Sequence, residues 1–250
     1  MSGDILVVQG LQKSFGGLRV TRDISLNLAE GNREAIIGPN GAGKSTFFNL
    51  LTGYHRPDSG TVTFEGKDIT GWTPHKVARA GIARAFQVSN IFVNMTAREN
   101  VRAAVHAQLG EIYNIFGAAR AIGNERTEEI LALCGLAERQ NVLAGELSQG
   151  DKKKLELALA LGGKPKLLLL DEPTAGMSLE ETRATMELVD RLNAEFGLTI
   201  LFTEHDMSVV FNHAQRVTLL HRGEIIVQGT PDEVRKDSTA QKIYLGEHEL

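Results

Sequence analysis

Eight consecutive residues, Gly38-Pro39-Asn40-Gly41-Ala42-Gly43-Lys44-Ser45, have the types and order needed to hold a polyphosphate. Glycines let backbone N–H groups turn inward around phosphate oxygens, and the start of a following helix adds partial positive charge. Lys44 supplies a full charge, Ser45 offers a hydroxyl to Mg²⁺, and Thr46 completes the cradle. A glycine-rich turn alone is weak; an apolar strand pattern just before it and a helical pattern just after it make it specific. A second constellation, Leu167-Leu168-Leu169-Leu170-Asp171-Glu172, ends an apolar run in two carboxylates. A parallel strand buried on both faces reads as such a run, and acids at its C-terminal end lie where ligands bind in open α/β sheets. With a phosphate cradle in the same chain, Asp171 is expected to hold a metal through water and Glu172 to polarise the attacking water.

The elements that must carry these groups are legible in outline. Residues 5–8, 24–28 and 34–37 read as short strands divided by Gly16-Gly17 and Glu30-Gly31. From Lys44 the pattern turns helical and closes at Gly53. A mostly helical stretch follows, with a capping box at Thr96-Ala97-Arg98-Glu99 ahead of residues 101–109 and apolar repeats over 126–134, punctuated by Gly110, Gly117 and Gly123. Alternation then resumes: strand 167–170, a helix opening at Ser178-Leu179-Glu180-Glu181, strand 198–202, a hairpin through Arg222-Gly223, and a last short helix from Thr230-Pro231. The expected fold is α/β, with an antiparallel β region near the N-terminus and an inserted helical lobe.

Composition narrows the function. A formal net charge of −4 gives no general attraction to phosphate backbones, so no nucleic-acid partner is expected. One cysteine, Cys134, excludes an internal disulfide framework. The opening residues do not read as a secretory signal, and the apolar run at 167–170 is far short of the roughly 20 residues a spanning helix needs, so a membrane role is expected to come through a partner.

Leu147-Ser148-Gln149-Gly150-Asp151 resembles the signature motif of the ATP-binding cassette family. Physically, Ser148 and Gly150 at the start of a helix make a second anion site from hydroxyl, backbone N–H and helix dipole. By the same resemblance, Gln87 is similar to the glutamine that senses metal and attacking water, His205 to the histidine that contacts the γ-phosphate, and Phe15 to the aromatic that stacks on adenine. Residues 175–178 correspond to the dimer-facing loop. Three departures stand out: the loop at 175–178 ends in Ser178 where the commonest form has an aspartate, Gln149 replaces the second signature glycine, and Asp151 its glutamine. The resemblance covers the whole chain and implies the P-loop fold of that family. A nucleotide-binding core with its antiparallel β subdomain is expected at 1–87 and 161–250, and a helical subdomain at 88–160.

The motif order, down to Tyr244-Leu245-Gly246-Glu247, looks like the ATPase subunits of bacterial branched-chain amino acid importers. What this implies is ATP hydrolysis with Mg²⁺, Ser45, Gln87 and Asp171 on the metal side, and Glu172, His205 and Gln87 in catalysis. The implied partners are transmembrane permease subunits, a second ATPase subunit in a heterodimer or homodimer, and indirectly a periplasmic binding protein, at the cytoplasmic face of the inner membrane. Alternatives are an exporter ATPase or a soluble cassette of DNA repair or translation, although the chain has neither a coiled-coil insertion nor two cassettes. A P-loop kinase would have no reason to contain residues 147–151 together with His205.

Overall fold

A computed structural model describes residues 3–85, 91–109 and 118–245. Two sheets organise it. Strands β1 (Asp4–Phe15), β2 (Leu18–Ala29), β4 (Ser59–Phe64) and β5 (Lys67–Asp68) form an antiparallel sheet in the order β2-β1-β4-β5. Strands β3 (Arg33–Ile37), β6 (Ile82–Ala85), β7 (Leu167–Asp171), β8 (Thr199–Thr203), β9 (Arg216–His221) and β10 (Glu224–Gly229) form the other sheet, in the order β10-β9-β3-β8-β7-β6. All its pairings are parallel except the edge pair β9–β10.

The apolar run of β7 has a physical explanation in its two faces. Leu168 and Leu170 enter one core with Ile200 and Phe202 of β8, while Leu167 and Leu169 enter a second core with Leu201. Each fully buried leucine is worth about 1.5–3 kcal/mol of transfer free energy. The second core also joins Leu6, Val8 and Leu11 of β1 and Ile24, Leu26 and Leu28 of β2 to Phe47 and Phe48 of helix α1 (Lys44–Leu51). The antiparallel sheet is therefore packed directly on the helix that carries Lys44 and Ser45.

Between β6 and β7 lie α3 (Ala97–Leu109), α4 (Ala118–Leu133) and α5 (Gln149–Gly162), packed on one another. The capping box ahead of α3 forms as expected: Glu99 accepts the Thr96 N–H at 2.8 Å and Thr96 Oγ1 accepts the Glu99 N–H at 3.2 Å. Ser178 and Glu181 make the same exchange at the start of α6 (Leu179–Phe196).

Several expectations are corrected. The first two strands are 12 residues each, because β1 and β2 continue pairing through register shifts up to the turn at Gly16. Gly123 does not interrupt a helix but lies inside α4; a Cβ there would sit 2.7 Å from the His106 ring, so the glycine permits α3 and α4 to approach. The helix opening at Thr230-Pro231, α8 (Pro231–Lys236), is not the last, since α9 (Ser238–Leu245) follows. Sequence patterns had not indicated β4, β5, α2 (Pro74–Ala80) or α7 (Met207–His213). Gly110 and Gly117 lie outside the described residues.

Candidate functional site

The phosphate-binding pattern occupies the turn from β3 into α1. Gly38 has φ 153°, and a Cβ on it would lie 2.1 Å from the Leu220 carbonyl oxygen; at Gly43, φ 106°, it would lie 2.8 Å from that of Val20. Both approaches are backbone to backbone, which only glycine permits without displacement. The loop is bolted to the β9–β10 turn by the Gly223 N–H, which donates to the Ala42 carbonyl at 2.9 Å. Lys44 is buried at 7% exposure and donates through Nζ to the Gly38 carbonyl and, at 3.3 Å, to that of Pro39. The first turn of α1 carries no acid, so nothing there opposes an anion.

Strand order brings the second constellation alongside. Because β8 lies between β3 and β7, the ends of all three strands meet at one edge. Residues 39–46, Val20 and Glu172 line a single cavity of about 180 Å³. Glu172 adopts a left-handed φ of 52°, with its N–H donating to the carbonyl and to Oγ1 of Thr203, both at 3.1 Å. Such a conformation costs a non-glycine residue about 1–2 kcal/mol and persists only where its surroundings enforce it. Glu172 Oε1 stands 2.8 Å from Nε2 of His205, so two residues 33 apart in sequence are hydrogen-bonded.

Residues without an expected role complete the frame. Asp171 is buried; Oδ1 accepts the Thr203 hydroxyl at 2.7 Å and Oδ2 pairs with Arg84 at 2.6 Å. Buried Glu204 accepts the N–H and hydroxyl of Thr174 at 2.8 and 2.6 Å and the His205 N–H at 3.1 Å, tying the turn after Glu172 to the histidine. Lys153 of α5 donates to the carbonyls of Pro173 and Ala175 at 3.2 and 2.5 Å, and burial pulls its pKa below the usual lysine range. The available signal for Arg84 and Glu204 was a charged residue inside or just beyond a β-rich stretch, where burial demands a partner.

Ser148 caps α5, its hydroxyl accepting the Asp151 N–H at 3.1 Å, and is exposed. Gly150 is buried against α6, where a Cβ would lie 2.7 Å from Oε1 of Glu181. Phe15, at the end of β1, is 43% exposed and meets His55 edge-on at 5.1 Å, outside the core. Gln87 lies outside the described residues. Ser45 is exposed at the start of α1 and Thr46 is half-buried. Among the described residues, no group of three or more His, Cys, Asp or Glu could hold a metal; the oxygens lining the cavity include the hydroxyls of Ser45 and Thr46 and the carboxylate of Glu172. Hard oxygens of that kind suit Mg²⁺. Cys134 is buried, its thiol pushed up to about 12 by desolvation, and takes no part.

Comparison with known proteins is informative over the full length. The family model described as ABC transporter matches residues 21–175. The high-affinity branched-chain amino acid transport ATP-binding protein LivG of Salmonella typhimurium is 38% identical, over 99% of this chain and 100% of its own. BraF of Pseudomonas aeruginosa, of the same description, is 36% identical over the same shares. Among solved structures, the ADP conformation of MJ1267, an ATP-binding cassette of an ABC transporter, superposes with a TM-score of 0.83 at 32% identity, covering 97% of this chain and 99% of that one.

Proposed function

The chain belongs to the ABC transporter family and is an ATP-hydrolysing subunit of it, and from that premise we propose that it powers an importer of branched-chain or related amino acids. The observation that carries the hydrolytic part of the reading is the cavity whose wall joins the phosphate-binding turn to Glu172, itself hydrogen-bonded to His205, while the likeness to LivG and BraF supports import. Lys44 faces the β and γ phosphates, residues 38–46 cradle them through backbone N–H groups, and Phe15 offers its exposed ring to adenine. Ser45, Asp171 and Gln87 are the groups that hold Mg²⁺, which when bound offsets phosphate charge. Glu172 accepts the proton of the attacking water, with His205 holding its carboxylate and the γ-phosphate, and Gln87 positioning that water.

Residues 1–87 and 161–250 act as the nucleotide-binding core and 88–160 as the helical subdomain. A second ATPase subunit closes each ATP between one cradle and the partner's copy of Ser148 and Gly150; Leu179, 87% exposed beside the loop at 175–178, supports an apolar contact there. Permease subunits dock at the junction of core and lobe, where Phe92 and Val93 are 58% and 51% exposed, while Ile91 packs into the chain's own core. Attachment to the cytoplasmic face of the inner membrane is through the permease; no helix among the described residues is long and apolar enough to cross a membrane. A periplasmic binding protein supplies the solute.

Native co-purification tests this: the expected catch is membrane subunits, a second ATPase and a receptor that binds leucine-type amino acids in a solute panel. Recovery with an exporter's membrane subunits, or of an active ATPase with none, would overturn the importer assignment.

A further inference from the structure

Arg84 is a buried cation at the candidate site that the proposed chemistry does not use. Its side chain is 8% exposed, as is that of Asp171, and its guanidinium lies 5.5 Å over the Phe48 ring. Nη2 donates to Asp171 Oδ2 at 2.6 Å and Nη1 to Asn49 Oδ1 at 2.7 Å, while Nε has no partner among the described residues. Asn49 follows Ser45 by four residues on α1 and so lies one turn along the same face. The planar fork therefore ties the helix stripe that begins at Ser45 to the strand end that carries Asp171. Thr203 holds the other oxygen of that carboxylate at 2.7 Å, which leaves Asp171 one fixed orientation.

We propose that Arg84 is a positioning residue that sets the spacing and orientation of Ser45 and Asp171 toward Mg²⁺, which makes it a determinant of metal-dependent nucleotide affinity. A lysine could not replace it, because a point charge on a flexible stem cannot bridge an amide and a carboxylate in one plane. The inference rests on the reading of Ser45 and Asp171 as the metal-side groups.

The test is calorimetric titration of ADP into the full chain, with and without Mg²⁺, so that no turnover is needed. Arg84→Met is expected to leave metal-free ADP affinity unchanged and to reduce the gain that Mg²⁺ adds by about tenfold, the lower end for loss of a ligand-orienting partner. Arg84→Lys should keep part of that gain. Asn49→Ala removes one arm of the fork, shifts the gain the same way by less, and decides the matter should Arg84→Met fail to fold. Asp171→Asn separates the two levels. A full Mg²⁺ gain in Arg84→Met or Asn49→Ala, with the gain lost in Asp171→Asn, overturns the role of Arg84 alone. A full gain in Asp171→Asn overturns the metal-side reading and this inference with it.

Discussion

Replacing Glu172 with Gln tests whether its carboxylate is a base or only a turn-forming side chain. The substitution keeps length and shape, and the backbone bonds to Thr203 that enforce φ 52° do not involve the side chain. The partner at risk is His205, 2.8 Å away, and the two side chains are 40% and 45% exposed. An exposed pair of this kind contributes about 0–1 kcal/mol, and an amide can still bond either imidazole tautomer. At this chain length, that limits the expected fall in melting temperature to about 2–4 °C. Positioned acid–base catalysis contributes at least about 100-fold, or ~2.7 kcal/mol of barrier. Hydrolysis should therefore fall by that factor or more while ATP affinity holds, and the ATP-bound closed pair with a second ATPase should accumulate. Steady-state hydrolysis in the assembled transporter, nucleotide affinity and thermal melting are measured side by side. Glu172→Gly sharpens the contrast: it also lacks the base but relaxes the left-handed backbone, so it should be at least as inactive without being less stable. Near-normal turnover of Glu172→Gln in an intact assembly would refute the reasoning and leave His205 and Gln87 to position the water.

Lys44→Ala removes a cation together with its bonds to the Gly38 and Pro39 carbonyls; ATP affinity measured by calorimetry should fall about 10–100-fold, and a folded variant with normal affinity would refute the phosphate-cradle assignment. Glu34, fully buried on β3, has its carboxyl held above the usual carboxylate range by burial, with hydrogen bonds from Thr218 and Gln228 opposing the shift. Because a raised folded-state pKa stabilises the fold below the ordinary carboxylate range and that stabilisation is lost as pH rises through the folded value, Glu34→Gln should gain on the parent between acid and neutral pH. The expected scale is a few degrees in melting temperature, and a stability difference that does not change with pH would sink the argument.

What the sequence by itself determined is local in its physics. The proposed phosphate cradle is one contiguous backbone path, so the spacing of Gly38, Gly43 and Lys44 suggests it without reference to the rest of the chain. The capping boxes at Thr96 and Ser178 are exchanges between residues three apart, and the leucines of β7 reveal a strand buried on both faces. The α/β class with an antiparallel sheet was legible for the same reason. The resemblance to the ATP-binding cassette family pointed further, to His205 and a γ-phosphate contact, yet not to its hydrogen bond with Glu172. Patterning was weakest for short elements such as α2, whose seven residues bury only Val77. It also under-read β1 and β2, whose length depends on a partner strand.

Only the tertiary structure decided the contacts that cross the sheet. His205 meets Glu172 because β8 lies beside β7, and Lys153 reaches the turn after Glu172 because α5 packs there. Arg84 finds Asp171 across 87 positions and Asn49 across 35. A buried charge must be paired, so the identity of Arg84 demanded a partner. Which partner it would be was set by the order β8-β7-β6 and the seat of α1 on the sheet, because strand order places side chains from distant segments within hydrogen-bond reach and no single stretch of sequence encodes that order.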